Sequence, residues 1–321
     1  MHFLLRQSLL SLSKRRLQSR LTDQHTRRLY KAMRLVQFEA VASGRRGLGV
    51  ELEDGNANIV DLTESVPELP NNMNDFIAGG EANLEAAKRA VDAGRNILKQ
   101  GDIRILSPIN NPEKLICIGM NYRDHCAEQN VPVPVEPVIF SKFNSAIRGP
   151  NDTIEYPNET SQLDWEVELA VIIGKEGKNI AKEEAMNFVF GYTVAHDVSA
   201  RDWQLQRNGN QFLVGKSMDG FCPLGPAIVT KEALLDPHNL RLWTKVNGVY
   251  KQDSNTSQLV FKTEELVAFL SRFFTLKPGD TILTGTPPGV GVFRNPPEFL
   301  KKGDVVEVGI EKIGALTNAI V

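Results

Sequence analysis

The 321-residue sequence predicts an α+β protein that is mainly β, and three observations carry that expectation. Apolar segments of strand length outnumber helical ones and do not alternate with them, which argues against a doubly wound parallel sheet. The run Leu169-Ala-Val-Ile-Ile is continuously apolar, which suits a strand buried on both faces. Turn signals separate the segments, and the strongest, Asn247-Gly248 after residues 240–246, predicts a hairpin. A content of 41% hydrophobic and 24% charged residues is ordinary for a soluble globular chain. The length suits one large domain or two modest ones.

Residues 1–34 hold nine Lys/Arg and one acid, Asp23, with Leu, Ser and Arg interleaved. That composition is expected of a mitochondrial transit peptide over residues 1–32 and of a matrix protein, a disordered basic tail being the alternative. Arg6 interrupts the apolar stretch, so a secretory signal fits less well. The rest of the chain carries 28 Lys/Arg against 38 Asp/Glu, a net charge of -10, which argues against a nucleic-acid-binding body. No run of 18 apolar residues occurs, so no membrane span is expected. Cys117, Cys126 and Cys222 are odd in number and lack Cys-x-x-Cys spacing, which points to core residues or free thiols in a reducing compartment.

A small β-rich N-terminal domain is expected over residues 33–110. It begins with Arg34-Leu-Val-Gln-Phe and Gly47-Leu-Gly-Val-Glu-Leu, the latter followed by the turn Glu53-Asp-Gly. A helix is predicted over residues 81–99, with Leu84, Ala87, Ala90, Val91 and Ile97 on its buried face. Pro108, Asn110, Asn111 and Pro112 mark a linker, and a catalytic domain is expected over residues 111–321. Its predicted strands are residues 115–119, 138–142, 166–174, 191–197 and 240–246. A helix over 263–273, a turn at Lys277-Pro-Gly-Asp and strands over 280–284 and 305–310 follow. The turn Lys302-Gly-Asp precedes the last of these.

The predicted strand at 166–174 carries Glu166 and Glu168, two apart and therefore on one face. The run 189–196 ends at Asp197, so two strands deliver three carboxylates. Acids beside an apolar strand are costly unless paired or bound to metal, and an oxygen-only set points to a hard cation. His125 and Glu128 are three apart in a predicted helix, a spacing that lets a carboxylate orient an imidazole as a general base requires. The stretch Thr284-Gly-Thr-Pro-Pro-Gly-Val-Gly lacks the Gly-Lys-Ser/Thr ending of a phosphate-binding loop, so nucleotide binding is not expected.

Five motifs in order, Gly119-Met-Asn-Tyr-x-x-His125, Glu166-x-Glu168, His196-Asp-Val-Ser-Ala-Arg201-Asp202, Gly215-Lys216-Ser217 and Leu283-Thr-Gly-Thr286-Pro-x-Gly-Val-Gly291, resemble the fumarylacetoacetate hydrolase family. The resemblance covers residues 114–318 and implies that family's mixed β-sandwich roll. It also implies Mg²⁺ or Mn²⁺ on Glu166, Glu168 and Asp197, with His125 and Glu128 as an acid-base dyad on a lid that orders over bound substrate. Lys142 and Lys216 match basic residues near substrate carboxylates or a developing enolate. Arg201 and Gln204 match residues after the third ligand, although Arg201 can also be a structural ion pair. Thr284 or Thr286 would meet substrate oxygens, or the Gly-rich stretch is a tight turn. A homodimer is implied by the relatives.

Two departures stand out. Acylpyruvate hydrolases of the family often carry Arg in place of Met120, and Val131-Pro-Val-Pro-Val-Glu-Pro is inserted near the lid. The least demanding chemistry that uses every matched group is keto-enol tautomerisation of oxaloacetate or a similar 2-oxo dicarboxylic acid. The alternatives are acylpyruvate C–C hydrolysis, oxaloacetate decarboxylation, or a catalytically inactive binding protein.

Overall fold

The computed structural model describes residues 33–52 and 57–321. The basic leader and the turn Glu53-Asp-Gly lie outside the described residues.

An antiparallel layer opens the fold: β1 (Arg34–Ala40) pairs with β2 (Arg46–Glu51) and, on its other side, with β5 (Ile103–Leu106). Next to β2 lie β3 (Ile59–Asp61) and β4 (Ile97–Leu98). Asp61 caps the short helix α1 (Leu62–Ser65) by accepting from the Glu64 N–H, and Asn72 caps α2 (Met73–Ala78) by accepting from the Asp75 N–H. Neither helix shows in the apolar pattern of the sequence, because each spans fewer than two turns and cannot repeat the helical period. The predicted helix at 81–99 is shorter than expected: α3 (Gly80–Ala93) ends at Gly94, which takes the left-handed conformation at φ 59°. Ile97 therefore lies in β4 opposite Val60 and is 48% exposed instead of buried on a helix face.

The central strands are β6 (Leu115–Gly119), β10 (Val167–Ile173), β11 (Val189–His196), β13 (Cys222–Thr230) and β16 (Thr281–Leu283). With β7 (Val138–Ser141) at one edge, they continue the N-terminal layer through β1–β13 pairing into a 12-stranded mixed sheet. Most neighbours are antiparallel, while β16 runs parallel to β6, and β8 (Ile147–Arg148) parallel to β13. The strands β9 (Leu163–Asp164) and β12 (Ser199–Ala200) form a two-residue ladder beside it. The expected hairpin joins β14 (Arg241–Val246) to β15 (Val249–Asn255) through Asn247 and Gly248, both at positive φ. Together with β17 (Val305–Ile310) and β18 (Gly314–Ala319) they make a second, four-stranded sheet. The structure is thus α+β and mainly β, as the sequence predicts.

β10 explains its own sequence. Leu169, Val171 and Ile173 join the core against Leu242, Val306 and Val308 of the second sheet, while Ile172 faces a separate core built from Leu35, Val50, Phe76 and Leu84. Every residue of β10 is buried. Burial of an aliphatic side chain stabilises by about 1.5–3 kcal/mol, so this strand anchors both layers. The polar residues at its start are held by that anchor. Three further helices, α4 (Arg123–Glu128), α5 (Arg201–Leu205) and α6 (Phe212–Lys216), surround the same end of β10, and α7 (Thr263–Ser271) packs Leu266, Val267 and Leu270 into the main core.

Candidate metal and proton-transfer site

The register of β10 against β11 places Val167 opposite His196. One residue further out, the Asp197 N–H donates to the Glu166 carbonyl at 2.9 Å, so Glu166 and Asp197 are neighbours across the pair. Glu168 lies two residues along, and one carboxylate oxygen from each of Glu166, Glu168 and Asp197 lies within 4.8 Å of the others. All three side chains are buried. The metal-ligand set expected from the sequence is therefore assembled in one place.

Three cations meet these charges. Lys216 bridges Glu166 at 2.8 Å and Asp197 at 3.0 Å, Arg201 reaches Glu166 at 2.7 Å, and Lys142 reaches Asp197 at 2.7 Å. Burial opposes ionisation of Glu166, yet the Lys216 and Arg201 charges prevail and hold its carboxyl well below the usual range. Glu168 behaves in the opposite sense: burial, then the charges of Asp197 and Glu166, push its carboxyl well above that range. Its hydrogen bond from the Gly285 N–H, at 2.6 Å, does not offset this. Burial lowers Lys216, but Asp197 and Glu166 raise it further, so it stays protonated. His196 is pushed down to about 3 by burial and by Lys142, so its buried imidazole is neutral.

These residues fit a hard divalent ion. The donor set is three carboxylates with no His or Cys, and a cation there reverses the penalty that burial and the neighbouring acids place on an ionised Glu168. Zinc, which takes nitrogen and sulfur donors, suits the set poorly.

The candidate proton-transfer pair, His125 and Glu128, sits on α4. His125 Nδ1 lies 2.9 Å from one oxygen of Glu128, whose other oxygen accepts the Gly289 N–H at 2.8 Å. The Gly289 carbonyl accepts from the Trp165 indole at 3.1 Å, which links the dyad to the segment that carries Glu166 into β10. Gly289 has φ 101°, and a β-carbon there would sit 2.2 Å from the Lys251 carbonyl, so no other residue fits. Asp124 holds the front of the helix, accepting from the His125 N–H at 3.0 Å and from the Ser254 hydroxyl at 2.6 Å.

Glu166 of the triad and His125 of the dyad face a cavity of about 120 Å³. Its polar wall includes His125, Glu166, Arg201, Gln204, Lys216 and Thr286, and its apolar wall includes Ile118, Met120, Phe140, Phe212 and Phe293. Gln204 accepts from Arg201 Nη1 at 2.8 Å. Lys142 lies outside this wall: its ammonium is enclosed by Asp197 and the carbonyls of Val198, Lys216 and Phe221. Thr284 also lies outside it, donating to the Leu169 carbonyl at 2.9 Å, whereas Thr286 donates to Val167 and remains at the cavity.

Two residues not singled out from the sequence complete the site. Asp164 is fully buried and accepts from Arg201 Nε at 2.7 Å, the Gly291 N–H at 2.7 Å and the Val292 N–H at 3.0 Å, orienting the guanidinium and pinning the Gly-rich loop. Gln129 places its amide nitrogen 2.8 Å from His125 Nε2. Its spacing, four residues after His125 on a short helix, is the signal that could have found it.

Comparison with known proteins agrees with this construction. The family described as "Fumarylacetoacetate (FAA) hydrolase C-terminal" matches residues 114–321. A Xenopus laevis protein named "Oxaloacetate tautomerase fahd2, mitochondrial" is 59% identical, covering 90% of this chain and 91% of its own. The human protein named "Oxaloacetate tautomerase FAHD2A, mitochondrial" is 55% identical, covering 90% of this chain and 92% of its own. Among solved structures, a fumarylacetoacetate hydrolase from psychrophilic Exiguobacterium antarcticum superposes with a TM-score of 0.78 at 38% identity, covering 90% of this chain and 99% of that one. A 5-carboxymethyl-2-hydroxymuconate delta-isomerase from Mycobacterium smegmatis does so at 0.71 and 36%, covering 90% and 98%. The acid cluster, the dyad and the sheet that joins them lie in the matched region, and the chain belongs to the fumarylacetoacetate hydrolase family.

Proposed function

We propose that this protein is a Mg²⁺-dependent keto-enol tautomerase acting on oxaloacetate or a similar small 2-oxo dicarboxylic acid, with Mn²⁺ as a substitute ion. The observation that carries the reading is the shared cavity, where Glu166 of the buried carboxylate triad and the oriented imidazole of His125 face the same small volume. That volume holds about four waters at liquid density, which suits a small diacid better than a long acyl chain. Relatives at 55–59% identity carry the tautomerase name, which supports the same substrate.

Bound at Glu166, Glu168 and Asp197, the ion supplies charge stabilisation to the 2-oxo group and its enolate. Around the triad the buried acids, with Asp164, number four and the cations Lys142, Lys216 and Arg201 three, so a divalent ion leaves one positive charge to receive an anion. Lys216 and Arg201, already ionised and oriented, meet the substrate carboxylates and the oxygen where negative charge develops. His125 takes the proton from the enol oxygen or from C3 on Nε2 and returns it to the other atom, with no carbon–carbon bond broken. Glu128 holds the Nδ1–H side, and Gln204 and Thr286 fix the ligand's orientation. Phe140, Phe212 and Phe293 keep water from competing.

The basic leader and the relatives' names support a mitochondrial location. A homodimer is supported by the edge strand β7, whose exposed Val138 and Ile139 lie near exposed Phe143 in sequence. Light scattering on protein without the leader tests it.

The deciding experiment follows ultraviolet decay of enol-oxaloacetate with Mg²⁺, alongside coupled detection of pyruvate. Accelerated enol loss without pyruvate, absent in Glu166→Ala, is the expected result. Pyruvate rising in step with enol loss would replace the proposal with decarboxylation.

A further inference from the structure

The imidazole of His125 is engaged at both nitrogens. Glu128 faces Nδ1 at 2.9 Å and, as a carboxylate that already accepts the Gly289 N–H, it requires a proton on Nδ1. In the tautomer with its proton on Nδ1, Nε2 carries a lone pair, and the amide nitrogen of Gln129 stands on it at 2.8 Å. The same amide nitrogen reaches Met120 Sδ at 3.4 Å, another acceptor. An NH₂ group satisfies both neighbours, while an amide oxygen turned the same way would satisfy neither, so the contacts orient Gln129 as a donor.

We propose that Gln129 is a positioning residue that caps His125 Nε2 in the free enzyme and is displaced when the substrate's C3 or enol group takes that place. His125, Gln129 and Met120 line the one cavity, so a ligand that reaches Nε2 must contest the amide. The cap is placed to leave without disturbing the dyad. Gln129 is the residue just beyond α4, Asn130 follows at φ 53°, and the segment after it is exposed, with Val135 at 94%. Glu128, by contrast, stays tied to Gly289. The cap keeps the lone pair on the cavity side and shields it from water until a substrate proton replaces the amide proton. The kinetic part of this inference rests on the tautomerase reading; the chemical part does not.

Two variants of the Mg²⁺-loaded protein test it. Gln129→Met keeps the length of the side chain and removes the donor; Gln129→Glu replaces the donor with an acceptor. The first readout is carbethoxylation of His125 by diethyl pyrocarbonate, followed in the peptide mass spectrum, because that reagent needs an uncapped, unprotonated ring nitrogen. Gln129→Met is expected to react about fivefold faster than the wild type, with an unchanged thermal midpoint, as the loss of one hydrogen bond predicts. Its KM for enol-oxaloacetate falls by a similar factor of about five, with kcat within about twofold. Gln129→Glu draws a proton onto Nε2 and loses kcat by about 10²-fold.

Equal carbethoxylation of the wild type and Gln129→Met overturns the cap. A Gln129→Glu variant with wild-type kcat overturns the donor orientation. A fall in kcat at constant KM in Gln129→Met overturns the positioning role in favour of direct participation in the chemistry. If the wild type does not turn over oxaloacetate, the tautomerase reading fails, and the carbethoxylation rates alone decide the cap.

Discussion

Glu166, Glu168 and Asp197 lie at the ends of two central strands with ammonium and guanidinium groups against them, whereas His125 and Glu128 ride on a six-residue helix secured by single hydrogen bonds at a half-buried edge. Both regions face one cavity, but the first is built from full charges in a dry interior and the second from contacts that water can replace. A cation site gains from rigidity, since its ligands must converge before the ion arrives. A proton-transfer group needs freedom to meet a ligand, and weaker anchors supply it. The difference predicts that damage to a charge-paired carboxylate of the strands removes metal binding and fold stability together, and that damage to the helix lowers turnover while metal binding survives.

The sharpest test lies within the strand pair. Glu166 is ionised and paired with Lys216 and Arg201, so Glu166→Gln leaves two buried cations short of a partner and costs about 3–5 kcal/mol of stability. Burial and the charges of Asp197 and Glu166 push Glu168 toward its neutral acid when no ion is bound, and a glutamine there is nearly isosteric with that form. Glu168→Gln should change unfolding in urea and EDTA by less than about 1 kcal/mol. Both variants should lose the Mg²⁺-induced rise in melting temperature and about 10³-fold or more in kcat/KM. Equal destabilisation by the two would mean that Glu168 is ionised in the free enzyme and that the contrast between the carboxylates is wrong.

On the helix, His125→Ala should lower kcat by about 10²–10⁴-fold while the thermal response to Mg²⁺ stays intact. A lost Mg²⁺ response would tie the dyad to the cluster and dissolve the distinction between them. Glu128→Gln should act in the same sense but less strongly, by about 10–10²-fold, since one amide oxygen cannot serve both the Nδ1–H and the Gly289 N–H. Steady-state kinetics with a calorimetric Mg²⁺ titration on each variant separates these outcomes.

The two regions also differ in how far the sequence discloses them. The triad is legible because strand alternation and a doubly buried apolar run are both written locally, at Glu166 through Ile173. The dyad is legible through its spacing of three. The side on which a distant cation enters is not local information: Lys142 and Lys216 both reach Asp197, but only Lys216 lines the cavity. Thr284 and Thr286 both stitch the Gly-rich loop to the β10 end, and only the second stays at the wall, a distinction of one strand register. Asp164 was hidden for the same reason, since its partners Arg201 and Gly291 lie 37 and 127 residues away. Ile97 misled because its helical spacing continues past Gly94, where the backbone turns left-handed and the helix stops.

The smallest expected effect probes the helix at the end away from the dyad. Ser254 of β15 donates to Asp124, which in turn accepts the His125 N–H, so Ser254→Ala removes one charge-assisted hydrogen bond from the support of the base and none from the base itself. A loss of about 1 kcal/mol in local stability should raise amide exchange across α4 by roughly fivefold, leave β10 exchange unchanged, and lower kcat by about two- to threefold at constant Mg²⁺ affinity. If exchange in β10 rose as well, helix and strands would open as one cooperative unit, and the freedom attributed to α4 would have to come from Gln129 and the segment after it instead.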